Sequence, residues 1–364
     1  MSINTKSKSS DQGKILIIGG YGQVGSDVAA RLAPLFPERV VIAGRNLKKA
    51  QAAATATGFG SSARTVDIFA ASAADALTDV GLVMVCIDQT GTGFVENCLS
   101  RGINYLDISA EYGFLSRIEK FATLAQDNGA TAMLSVGTSP GLTSMLAARV
   151  KQQMPEATQI DILLETGLGD QHGRAAVEWM FDNLDAEFEV MEAGRAKQVR
   201  GFGDKIDFQL REGDRARPAF RFNFSDQHAI TRTLNLDGAS TWVRFENKFT
   251  TSLFALSSRA GLGRLLRRPR WRRAAVWLMM NVHVGSDICA VAARGTNADS
   301  SKTLTLNVVG RKEALMTAVI AAETARQMLT EQFETGVFHS EQAVQLEPVI
   351  TALKAELPGL TVDL

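Results

Sequence analysis

The sequence predicts an α/β fold, a doubly wound parallel sheet followed by a second, α+β domain. Three observations predict it. From Lys14 to about Ser139, short β-rich runs alternate with helical patterns, which implies parallel strands joined by crossover helices. A glycine-rich turn follows the first apolar run directly. After Leu142 the alternation stops, and strand-like segments outnumber helical ones.

The elements follow in order. Ile15-Leu16-Ile17-Ile18 is a continuous apolar run, as expected of a strand covered on both faces. In the helix after it, Val24, Val28 and Leu32 share a face, and Pro34 and Pro37 close it. Val40 to Ala43 is the second strand, and Asn46 caps an Ala-rich helix that ends near Gly58. Strands are expected at Ala63–Val66, Leu82–Ile87, Tyr105–Ile108 and Ala132–Val136, with helices at Ser72–Leu77, Phe94–Arg101 and Phe114–Asn128 between them.

Beyond a helix at Leu142–Met154, strands are expected at Ile160–Glu165, Lys205–Leu210, Ala219–Phe224 and Thr241–Phe249. A hairpin-like pair follows at Ile288–Arg294 and Thr303–Val309. Arg174–Asp185 is the best helix of this region, and Glu313–Gln332 is a long Ala-rich helix expected to return to the first domain. The predicted organisation is a disordered tail (1–13), a dinucleotide-binding domain (14–140), an α+β substrate and dimerisation domain (141–311) and a C-terminal helical return (312–364).

Bulk properties narrow the function classes. With 364 residues, 45% of them hydrophobic, two domains with sizeable cores are affordable. Lys plus Arg and Asp plus Glu both number 39, so no global charge favours nucleic acid. Cys86, Cys98 and Cys289 are few and widely spaced, which fits a reducing, cytoplasmic setting rather than a disulfide framework. The polar N-terminus reads as no secretory signal, and the Ala274–Met280 run is far shorter than the roughly 20 residues a bilayer span needs.

Gly20-Tyr21-Gly22-Gln23-Val24-Gly25 matches G-x-G-x-x-G. The pattern is weak alone and informative here, because it follows a buried strand and opens a helix, as in a Rossmann dinucleotide site. Gly20 is expected to make the tight turn, Gly22 to admit a pyrophosphate and Gly25 to let helix and strand pack. The helix N-terminus then offers N–H groups and a positive dipole end to the phosphates. An NAD site usually ends its second strand on a carboxylate. Here that strand runs Val40-Val41-Ile42-Ala43-Gly44-Arg45-Asn46, and Arg45 suits a 2′-phosphate, so the cofactor is read as NADP(H). Topology places Asp67 near the adenine and Ile87 and Asp88 toward the nicotinamide end.

Together with Gly102-Ile103-Asn104-Tyr105-Leu106-Asp107-Ile108 and Gly137-Thr138-Ser139-Pro140-Gly141-Leu142, these motifs resemble those of saccharopine dehydrogenase-like reductases. The resemblance is firm over roughly the first 150 residues. It is looser at Gly167-Leu168-Gly169-Asp170-Gln171-His172-Gly173 and Gly336-Val337-Phe338-His339. It implies hydride transfer at a C–N bond, an inserted domain for substrate binding and dimerisation, and a homodimer. The second domain looks shorter than in typical saccharopine-forming enzymes, which argues against saccharopine itself as the substrate. Two other readings stay open: a trans-acting enoyl reductase-like enzyme working on C=C bonds, and a non-catalytic NADP-binding regulator or scaffold.

For the proton relay the leading candidates are Asp170 and His172, in a Gly-rich loop, with a loop-ordering histidine as the plainer reading. Glu111 is a further catalytic candidate, against the alternative of a carboxylate stabilising a helix start. His228, with Arg232 or Arg221, is the candidate clamp for a substrate carboxylate, against ordinary surface salt bridging. Gly137-Thr138-Ser139-Pro140-Gly141 fits the G-x-S-x-G elbow of hydrolases. However, Pro140 lacks the N–H an oxyanion hole needs there. His172, His228, His283 and His339 show no metal-ligand spacing, and Cys86 reads as a small core residue. Finally, Arg264, Arg267, Arg268, Arg270, Arg272 and Arg273 lie beside Leu265, Leu266, Trp271, Val276, Trp277 and Leu278. This stretch is expected to be a solvated face flanking a buried or dimer-forming helix, with association to an anionic membrane or to an acidic partner as the alternative.

Overall fold

The computed structural model describes residues 13–364 except 171–172, 260, 262, 264–265, 267 and 282–284. The chain divides into two compact units. The first comprises residues up to Gly137 and Thr317–Ala352, the second Thr138–Met316 and Leu353–Leu364.

In the first unit the strands are β1 (Lys14–Ile18), β2 (Val40–Gly44), β3 (Ser62–Thr65), β4 (Val80–Val85), β5 (Asn104–Asp107), β6 (Thr131–Leu134) and β15 (Gly336–His339). They form one sheet in the order β15-β6-β5-β4-β1-β2-β3, with every pairing parallel. The helices between them are α1 (Gln23–Leu35), α2 (Leu47–Thr57), α3 (Gly93–Leu99), α4 (Tyr112–Ile118) and α5 (Ala122–Asp127). Ile15, Leu16 and Ile17 of β1 are wholly buried, as a run of branched residues covered on both faces should be. Strand order reverses on either side of β1, so the loop after it lies at the topological switch point where such sheets bind ligands.

The expected helix at 114–128 is broken into α4, a short 3₁₀ turn (Glu119–Phe121) and α5. The break falls where Glu119 reaches the ring of His339 on β15. His339 is buried, with Ser135 Oγ 2.7 Å from Nδ1 and Glu119 Oε1 2.9 Å from Nε2. These contacts tie the seventh strand, which carries no strong apolar pattern of its own, to the sheet edge.

The second unit is built on a mixed sheet. Its strands are β7 (Ala157–Thr166), β10 (Lys205–Phe208), β11 (Arg217–Arg221), β12 (Gly238–Phe245), β13 (Ile288–Asn297), β14 (Thr303–Arg311) and β16 (Thr361–Asp363), in the order β10-β11-β12-β7-β13-β14-β16. Only β12 and β7 run parallel. A separate hairpin joins β8 (Glu187–Glu192) and β9 (Arg195–Arg200). The helices α6 (Thr143–Gln153), α7 (Arg174–Asn183), α8 (Asp226–Thr233) and α9 (Lys248–Arg259) belong here, with a further helix at Pro269–Asn281. The strand expected to reach Phe249 stops at Phe245, because the Asn247 side chain accepts from Phe249 N–H at 2.8 Å and starts α9.

Buried charge in this sheet is paired. Glu165 accepts from Arg244 at 2.6 Å and from Arg217 at 2.7 Å, and Asp161 from Trp242 and Arg294. The long helix Glu313–Thr330 starts in the second unit and carries the chain into the first, and the last twelve residues return to pair β16 with β14. The expected helical return at 312–364 is thus shared between the units. Among the described residues, no helix is long and apolar enough to cross a membrane.

Candidate functional site

The loop leaving β1 is shaped by close approach. Gly19 is the residue in the left-handed region (φ +76°), so the tight turn expected at Gly20 is made one residue earlier. Gly20 is required for a different reason: a Cβ there would sit 2.9 Å from Ile17 O and 3.0 Å from Ile42. A Cβ on Gly25 would meet Gly19 O at 2.4 Å and Gly20 Cα at 2.8 Å, which is the tight helix–strand packing expected of the third glycine. Gly22 is the N-cap of α1, and neither its own absent side chain nor any acidic residue serves the first turn. Gln23 and Val24 begin the helix behind it. A helix start built this way, with no carboxylate in its first turn, matches an anionic ligand.

Tyr21 connects this loop to the end of β2. Its hydroxyl accepts from Asn46 N–H at 3.3 Å, and its ring covers Gly44 so closely that a Cβ there would meet it at 2.5 Å. Arg45 follows, exposed and without an ion pair among the described residues. The residues therefore fit a dinucleotide with an added 2′-phosphate: a glycine cradle, an open helix start and an uncommitted guanidinium beside it.

The remaining cofactor candidates lie at the same end of the sheet. Asp67 follows β3 and accepts from Phe69 N–H at 3.1 Å in a local turn. Ile87, after β4, is exposed, and its side chain lies against Gly19. Asp88 is exposed and engaged in interactions of its own.

Sequence reading missed a buried cluster where β4 and β5 end. Gln89 Nε2 donates to Tyr105 Oη and to Asp107 Oδ2, both at 2.6 Å, and Tyr105 donates to the same carboxylate oxygen at 2.5 Å. All three side chains are buried. Burial pushes the Asp107 carboxyl up to about 6, against the pull of its donors Tyr105, Ser109 and Gln89. Burial, with Asp107 nearby, also pushes the Cys86 thiol up to about 12, which leaves it protonated and unreactive. The available signal was polar residues at the ends of β4 and β5, where a parallel sheet presents its loops.

The catalytic and substrate candidates are scattered. Glu111 caps α4, accepting from Gly113 N–H at 2.8 Å and Phe114 N–H at 2.6 Å. Asp170 accepts from Glu313 N–H at 2.7 Å, at the start of the long helix. His172 lies outside the described residues. Arg221 is buried, 4.4 Å over the Trp242 ring, and it donates to Ser240 at 2.8 Å and faces Asp204. Its charge is used inside the second unit, whereas Arg232 on α8 is exposed. His228 sits 2.9 Å from Asn223 Oδ1, and burial, helped by Arg232, pushes its pKa down to about 4. It is neutral near pH 7 and carries no charge to offer a carboxylate.

Next to His228, Asp226 is fully buried and accepts from Thr241 at 2.6 Å, Thr143 at 3.0 Å and Ser139 at 3.1 Å. The hydroxyl of Ser139, in the G-x-S-x-G pattern, is thus held by a carboxylate, and its peptide bond to Pro140 is cis. Among the described residues, no cluster of His, Cys, Asp and Glu has the makings of a metal site.

The switch-point loop and the all-parallel sheet define a dinucleotide-binding domain of dehydrogenase type. Residues 15–133 match the family described as the saccharopine dehydrogenase NADP binding domain. The solved structure of apo saccharopine dehydrogenase (L-Glu forming) from Saccharomyces cerevisiae aligns over 97% of this chain and 100% of its own, with a TM-score of 0.64 at 15% identity. The two share a fold. A DAP dehydrogenase from C. glutamicum aligns over 95% of this chain and 99% of its own at a TM-score of 0.46 and 12% identity, too distant to bear on function. Comparison with curated proteins gave no match.

Proposed function

We propose that this chain is an NADP(H)-dependent oxidoreductase that transfers hydride at a C–N bond of a small, amino-acid-derived substrate. The observation that carries the reading is the loop after β1, where a glycine cradle and an open helix start lie beside exposed Arg45. The match of residues 15–133 to the saccharopine dehydrogenase NADP binding domain supports the cofactor and an oxidoreductase reading. The fold shared with a saccharopine dehydrogenase supports the C–N bond as its target.

When bound, NADPH supplies the hydride. The chain's own residues do the rest. The N–H groups at the start of α1 hold the diphosphate, and Arg45 pairs with the 2′-phosphate. Ile87 offers an apolar contact at the nicotinamide end and keeps water from it. His172 is the candidate to move the proton. Arg232 is the candidate clamp for a substrate carboxylate. A cytoplasmic setting fits the three free thiols.

The test follows absorbance of NADPH with a panel of oxo acids and amines. Turnover that requires both components is the expected result. Turnover with enoyl thioesters instead, or NADPH binding with no turnover at all, would replace the proposal. Full activity in His172→Ala would remove that residue from the mechanism.

A further inference from the structure

We propose that the outward face of α9 and of the helix Pro269–Asn281 seats on an anionic lipid surface. Two independent observations carry this. The first is charge: between Glu246 and Asp287 the sequence holds eight Lys and Arg residues and no Asp or Glu, in a chain whose formal net charge is zero. The second is what these helices turn outward. On α9, Phe249, Leu253 and Leu256 are exposed at four- and three-residue spacing, Phe249 by 75% and Leu256 by 65%. On the second helix, Trp271, Trp277, Leu278 and Met280 are exposed, Trp277 by 64%.

The opposite sides of the two helices are already used. Val276, Ala275 and Met279 pack with Phe254 of α9 and with Val177 and Phe181 of α7 in one small apolar cluster. Arg272 turns back to pair with Asp182 through both terminal nitrogens, and Arg174 pairs with Glu178, so these acids of α7 are neutralised. Arg268, Arg270 and Arg273 are left exposed, with no ion pair among the described residues. Arg273, Trp277 and Met280 also border a recess of about 330 Å³ beside Val276.

An ordinary soluble helix turns its apolar stripe inward and its charges out. Here both helices keep an inner stripe and add an outer one, with tryptophans and arginines interleaved on it. That is the composition of a helix lying in the headgroup layer, where the indole rings sit at the boundary and the guanidinium groups reach phosphates. The second helix starts on Pro269, so it is not a continuation of α9. A second copy of the chain is a poor occupant, because a two-fold interface sets the same patch against itself and these arginines would face one another. The inference stands apart from the proposed hydride transfer, since none of these residues belongs to the cofactor loop.

The experiment is vesicle flotation with the full chain, comparing phosphatidylglycerol–phosphatidylcholine vesicles with phosphatidylcholine alone. The expected result is flotation with the anionic vesicles only, reversed by high salt. Each cation near an anionic leaflet is worth about fivefold in partitioning, so R268E/R270E/R273E should lower it by more than about a hundredfold. Trp271→Ser with Trp277→Ser should also weaken it. Unchanged NADPH titration and circular dichroism would show that the variants are folded. No flotation of the native chain, or equal flotation of the charge-reversed variant, would overturn the proposal. So would a dimer that the Trp substitutions dissociate without any vesicle binding, or binding to poly-glutamate in place of vesicles.

Discussion

Arg45 is the residue on which cofactor choice turns. It stands where an NAD-binding sheet usually carries a carboxylate, and its charge is unshared among the described residues. Removing a charge-assisted hydrogen bond costs about 1.5–3 kcal/mol, so Arg45→Ala should weaken NADPH binding by about tenfold to a hundredfold and leave NADH nearly unchanged. Fluorescence titration with the two cofactors checks this. Asp107 carries a pH dependence. Its carboxyl titrates at about 6 in the folded chain, above its ordinary value of 3.8. Below both values the folded and unfolded states are equally protonated. Between them the unfolded chain has released a proton that the folded chain keeps, so stability falls as pH rises through this window and levels off above about 6. The unfolding free energy of the native chain relative to Asp107→Asn should therefore drop by roughly 1–2 kcal/mol between about pH 5 and about pH 7.5. A flat difference in denaturant titrations across that range would contradict the assignment.

At the scale of elements, Glu111 belongs to α4. Both of its carboxylate oxygens accept N–H groups of the first turn, so it stabilises the helix whether or not it meets a substrate. Glu111→Ala should cost about 1 kcal/mol of stability with turnover per folded molecule retained. A large loss of kcat without loss of stability would mark it as catalytic instead. The buried Glu165 with Arg244 and Arg217 holds β7, β11 and β12 together. Deleting one partner strands a buried charge, so Arg244→Ala should destabilise the second unit by about 3–5 kcal/mol, read as a lower midpoint in thermal unfolding. Pairing also explains why Arg221, which looks available in sequence, is spent against Trp242, Ser240 and Asp204.

At the scale of the whole molecule, the chain crosses between its units more than once. A ligand that binds only the folded first unit raises its stability by about 2.7 kcal/mol at a hundredfold excess over Kd. Calorimetry with saturating NADPH should therefore raise the first unit's transition, and the same addition should do nothing in a Gly25→Val variant, whose Cβ collides with Gly19 O. The sequence by itself determined the parallel sheet, the loop after β1 and the preference carried by Arg45. These depend on contacts between neighbours along the chain: apolar runs, glycine spacing and one charge at a strand end. Tertiary structure alone decided that β15 completes the first sheet, that the Gln89, Tyr105 and Asp107 side chains meet where β4 and β5 end, and that the tryptophans of Pro269–Asn281 face outward. Each joins positions far apart in the chain or chooses between two faces of a helix with apolar residues on both, and local periodicity holds no information about which partner arrives.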